Sequence, residues 1–116
     1  MYSILLKNSP KETKKFRAEI FDDRTGRVRV VDFGQRGASD YTKHKDHERM
    51  LRYLARHHAV FRSSNLMSLR SSRERWGLDG IYTAGFWSRW LLWSAPSLSG
   101  AKRTIRSVFK KSIRFL

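Results

Sequence analysis

Cysteine is absent from the 116 residues, which excludes a disulfide scaffold, a thiolate zinc site and a cysteine nucleophile. Long apolar runs are absent too. Ile4-Leu5-Leu6 has neither the length nor the preceding basic region of a signal peptide. Trp90-Leu91-Leu92-Trp93 is far shorter than the roughly 20 residues of a membrane span, so a soluble or peripheral protein is expected. Proline occurs only at Pro10 and Pro96, and each marks a break between elements. Acids are scarce: 10 Asp and Glu stand against 25 Lys and Arg, for a formal net charge of +15.

Against these shortages stand 40% hydrophobic and 13% aromatic residues, too many for a disordered polycation. With 30% of so short a chain charged, they can enclose one small core. The charge is unevenly shared. Residues 1–48 hold 11 basic and 8 acidic side chains, whereas residues 49–116 hold 14 basic ones and only Glu74 and Asp79. Between residues 49 and 75 every cation other than histidine is arginine, whose rigid donor fork suits carboxylates and phosphates alike. Charge alone does not choose between nucleic acid and an acidic protein surface.

The first third reads as a strand meander over residues 2–7, 14–21 and 27–33, separated by Asn8-Ser9-Pro10 and by Asp22-Asp23-Arg24-Thr25-Gly26. Phe16, Ala18 and Ile20 alternate with Arg17 and Glu19, the period of a half-buried strand. Asp46 is placed to cap a helix running to about His58. Met50, Leu51, Leu54 and Phe61 fall on one face of it, and Arg49, Arg52 and Arg56 form a basic stripe beside them. Residues 62–75 lose periodicity and read as an Arg/Ser-rich loop. A second helix begins near Thr83, apolar almost all round through Phe86, Trp87, Trp90, Leu91 and Trp93, and Pro96 ends it. A last helix, capped by Ser97 or Ser99, carries Ala101, Ile105 and Val108 on one face and Arg103, Arg106, Lys110 and Arg114 on the other.

The expected fold is therefore α+β: a small three-stranded antiparallel sheet with two or three helices and an extended basic C-terminal helix. Residues 1–98 are the domain, with the loop at 62–75, and residues 99–116 are a basic amphipathic helical arm. His44 and His47, with Asp40 and Asp46 nearby, lack the further ligand and base of a metal or nuclease site, so no metal, cofactor or catalysis is expected. The Trp-rich block recurs at helical spacing, which favours a core or a protein interface over a platform for stacked bases. The basic arm admits three partners, namely anionic lipid headgroups, nucleic acid or an acidic groove on another protein, besides simple packing on its own domain.

Two strings carry a resemblance. Asp40-Tyr41-Thr42-Lys43-His44-Lys45-Asp46-His47-Glu48-Arg49, continuing through Tyr53, Arg56 and His57, and Thr83-Ala84-Gly85-Phe86-Trp87-Ser88-Arg89-Trp90-Leu91-Leu92-Trp93 resemble a family of small basic proteins of nucleocytoplasmic large DNA viruses, iridoviruses among them. His47 stands where that family has proline, and residues 62–75 look like an insertion onto which no family role carries over. The resemblance implies a viral origin and a virion component, and it brings no catalytic residues.

Taken together, these readings lead to the expectation of a structural minor capsid protein of a large icosahedral DNA virus. It would lie on the inner side of the shell, after assembly in the host cytoplasm, and cement capsomers. Phe86, Trp87, Trp90 and Trp93 would form the protein interface, and Arg49, Arg52, Arg56, Arg103, Arg106, Lys110 and Arg114 the basic surface. Its partners would be the major capsid protein and other minor capsid proteins, with the anionic inner membrane surface as a further contact and no small-molecule substrate. The alternative is a nonspecific nucleic-acid-binding protein that condenses or packages the genome.

Overall fold

The alternation in the first third becomes three antiparallel strands, β1 (Tyr2–Asn8), β2 (Lys14–Asp22) and β3 (Arg27–Gln35). The computed structural model describes residues 1–60, 66 and 70–116. Asp22 organises the β2–β3 turn. Its carboxylate accepts from the Arg24 N–H, its carbonyl accepts from the Gly26 N–H, and Gly26 takes the positive φ of 73° that a side chain would oppose.

Two short helices follow, α1 (Tyr41–His44) and α2 (His47–Arg56). Asp46 caps α2 as its sequence position predicts, accepting from the Glu48 and Arg49 N–H groups. Asp40 caps α1, which has no apolar period of its own to announce it. Phe61 and half of the 62–75 stretch lie outside the described residues. Of that stretch, Arg70–Ser71 forms a short strand, β5, paired with β4 (Ala59–Val60).

The Trp-rich block is one helical rod. It starts as α3 (Ala84–Trp87), with Thr83 as its cap, and continues as a π-helical turn over Ser88–Leu92. The rod is apolar all round because it is covered all round. Trp87 packs against Phe33 of the sheet, Phe86 and Trp90 meet Phe109, and Arg89 lies over the Trp76 and Trp90 rings. Each of the rod's two fully buried indole N–H groups donates to a carbonyl at 2.7 Å, Trp87 to Ile81 and Trp90 to Trp76.

The last segment corrects the expected fold. Ser97 caps α4 (Leu98–Phe109) as expected, but the helix does not continue to the C-terminus or project as an arm. Lys110 turns the chain at φ 48°, and β6 (Ile113–Phe115) runs parallel beside β1. The sheet is thus mixed and four-stranded, in the order β3-β2-β1-β6, rather than three-stranded and antiparallel. The reason is local and physical. Ile113-Arg114-Phe115 alternates like a strand, Ile113 becomes buried, and the Leu116 N–H donates to the Ile4 carbonyl at 2.8 Å. A third strand alone would have left the backbone of β1 unpaired at that edge. α4 itself lies on its domain, with Ala101 and Ile105 fully buried.

Two apolar clusters result. The larger lies between the inner sheet face, the Trp-rich rod and α4. The smaller gathers Tyr41, Met50, Tyr53, Leu54 and Trp76 around α2, and Trp93 packs against both.

Candidate functional site: basic surfaces, a polar cleft and an open sheet face

The four aromatic residues expected at a protein interface are mostly core. Phe86, Trp87 and Trp90 are at most 2% exposed, and Trp93 is half-buried with its ring stacked on Tyr53, centroids 4.3 Å apart. Their helical spacing marks the burial they show, inside the chain's own domain rather than against a partner.

The basic residues are outside. Arg49, Arg52 and Arg56 are exposed along α2, and Arg103, Arg106, Lys110 and Arg114 are exposed on and after α4. The two sets stand over different clusters, so the fold presents two basic surfaces rather than one. Arg114 donates to the Ser3 hydroxyl at 2.9 Å across the β1–β6 pair. Arg52 reaches Glu48 at 3.6 Å, one helical turn away, an exposed contact of little energetic weight.

Several of the scarce acids pair with cations of the same chain. Arg17 grips Asp32 through both Nε and Nη2, at 2.9 and 3.1 Å, and Ser9 donates to the same carboxylate. These bonds, Arg17's first, hold the Asp32 carboxyl well below the usual carboxylate range. Glu19 pairs with Lys7, and Lys15 with Asp40 at 2.7 Å. Such pairing consumes much of the negative charge and leaves the cationic excess facing solvent.

Between the sheet, α2 and α3 lies a polar cleft of about 400 Å³ whose wall includes Lys15, Asp40, Tyr53, Arg56, His57 and Glu74. Its carboxylates are engaged. Asp40 holds Lys15 and the α1 cap, and Glu74 bonds His57 Nδ1, tying the end of α2 to the segment after β5. Burial first, and Glu74 second, push the Tyr53 phenol up. Arg56 and Trp93 of this cleft were among the expected site residues. The other polar wall residues come from four separate stretches of chain, and no spacing in the sequence announces their meeting.

Arg89, the one cation within the Trp-rich block, is fully buried. Its guanidinium lies 4.5 Å from the Trp90 ring centroid and donates to the Trp93 and Leu66 carbonyls. Burial pulls it down to about 10, still charged at neutral pH. His44 Nδ1 accepts from the Asp46 N–H at 2.9 Å, and the ring packs on Trp93. Among the described residues no three His, Asp or Glu side chains converge as a metal site.

The feature that sequence reasoning missed is the outer face of the sheet. Leu5, Phe21, Val28 and Val30 are 41–61% exposed. They share one face, because the register sets Val28 beside Phe21 and places Glu19 between Val30 and Leu5. The signal was present in the period-two pattern, since β1 and β3 carry apolar residues at both parities.

Compared with known proteins, residues 4–57, just under half the chain, match a family described only as a family of unknown function (DUF5754). That match spans β1 nearly entire to the end of α2 and includes the Asp40–Arg49 string but not the Thr83–Trp93 string. No curated protein and no solved structure matches the chain.

Proposed function

We propose that this protein is a structural component of a large DNA virus particle, a minor capsid protein that binds partner proteins rather than transforming a substrate. The viral assignment rests on the resemblance of the two strings described above. The observation that carries a protein-binding role is the sheet's outer face, where four large apolar side chains share one face and are exposed. Clustered exposed apolar residues mark protein contact more than phosphate contact, which needs no apolar surface. With the Trp-rich rod closed into the core, this face takes over the role first expected of that rod.

The exposed arginines of α2 and the cations of the C-terminal segment favour a second reading, nonspecific binding of the packaged genome. Crosslinking with mass spectrometry on intact particles separates the two. Lys7 lies on the outer sheet face and Lys110 just after α4, and both are exposed. Links from both to the major capsid protein are expected. Links confined to core proteins, with release of the chain when opened particles are treated with nuclease, would replace the capsid reading by packaging.

A further inference from the structure

The sheet has one closed edge and one open edge. Among the described residues β6 covers β1, whereas β3 is bordered by a strand on one side only. An uncovered edge strand with an apolar face is a template for another strand, and proteins that do not use such an edge usually blunt it. Of the devices that usually blunt such an edge, β3 carries charge, at Arg27 and Arg29, but neither shortness nor proline. It runs nine residues without proline, and the positions facing outward at its open end are Val28 and Val30, 61% and 51% exposed.

The charge around this edge selects the occupant. On the other side of the strand Arg27 and Arg29 are exposed, with Arg29 lying 5.1 Å above the Tyr82 ring, and Arg24 stands in the adjoining turn. The nearby acids are already engaged: Asp32 by Arg17 and Lys11, Glu19 by Lys7, Asp22 by Arg24, and Asp23 by the N-terminal amine. A second copy pairing antiparallel along β3 would set Arg27 and Arg29 against Gln35 and Phe33 of that copy, which offer them no carboxylate. Nucleic acid would satisfy the arginines but leave Val28, Val30, Leu5 and Phe21 uncovered.

Resting on the protein-binding reading above, we infer that the open edge of β3 receives an extended acidic segment of a partner protein as a fifth strand. Its apolar side chains continue the Leu5, Phe21, Val28 and Val30 face, and its carboxylates, at the alternate positions, meet Arg27 and Arg29. Backbone pairing supplies affinity, and the alternation of apolar and acidic residues supplies selection.

The test uses the full chain and a fluorescein-labelled peptide of alternating valine and glutamate, as long as β3, with a valine–lysine peptide as its counterpart. Anisotropy should show binding of the glutamate peptide only, and hydrogen exchange should slow at β3 amides. The double variant V28K/V30K, which changes only exposed side chains, should keep its melting temperature and weaken binding by roughly tenfold or more. R27E/R29E should reverse the preference toward the lysine peptide.

Equal binding of both peptides, or binding indifferent to V28K/V30K, would overturn strand addition. So would protection of β3 by a single-stranded oligonucleotide that competes with the peptide. Incorporation of V28K/V30K into particles separates this failure from that of the broader reading. Lost incorporation without peptide binding sinks strand addition alone, whereas normal incorporation without peptide binding sinks both.

Discussion

The two faces of one sheet differ in what covers them. On the inner face Ile4, Ala18, Ile20 and Phe33 are wholly buried under Trp87, Leu91 and Ile105. On the outer face, with the same strands and the same pleat, Leu5, Phe21, Val28 and Val30 stand in water. The helices among the described residues cover one side of the sheet. Residue type therefore does not separate core from contact surface here, and the aromatic-rich block, the most apolar string in the sequence, is the covering layer itself.

If the inner face is the structural one, breaking it should cost the most. Trp87→Ala removes a fully buried indole and leaves the Ile81 carbonyl without its donor, so a loss of about 3–5 kcal/mol is expected in urea unfolding. A loss under about 1 kcal/mol would mean that the rod does not seal the sheet.

The closed edge sharpens the comparison next. Ile113→Ala should cost about 2–5 kcal/mol, and hydrogen exchange in the variant should quicken at β1 amides while β3 amides keep their rates. Equal quickening at both edges would show that β6 supports the whole sheet rather than one side of it.

A smaller effect is expected from the polar tether on the outer face. Arg17, donating through two nitrogens, lowers the Asp32 carboxyl, so the unfolded chain binds that proton more readily than the folded one. The stabilisation is complete above about pH 4 and is lost as pH falls below it. Melting temperature followed against pH should therefore show a shallower acid limb in Asp32→Asn than in the unmodified chain.

The smallest effect on stability is expected where the largest effect on binding is placed. V28K/V30K should shift unfolding by no more than about 0.5 kcal/mol, because neither valine is covered in the free chain. A loss of several kcal/mol would mean that the face is part of the fold and not a surface held for a partner.

Much of the architecture was legible in the residues. The three strands of the meander, the Asp46 and Ser97 caps and the stop before Pro96 each depend on neighbours a few positions apart, and each stands where the pattern puts it. The candidate site was legible only as composition. Exposed arginines on α2 and after α4 follow from amphipathic spacing, but the cleft that joins Lys15, Asp40, His57 and Glu74 follows from no spacing at all. Arg89 was illegible for a related reason: a single cation within an apolar string reads as its solvent side until two indoles and two carbonyls close over it.

By itself, then, the sequence determined the local conformations, the absence of thiol chemistry and the cationic excess, because these rest on backbone preferences and on counting charge. Tertiary structure alone decided that the C-terminus returns as a strand beside β1, where Arg114 meets a serine 111 positions away, and that one face and one edge of the sheet stay open. Strand partnership and burial are properties of the whole chain's supply of covering surface, and no periodicity within a segment records how much of that supply the other segments have already used.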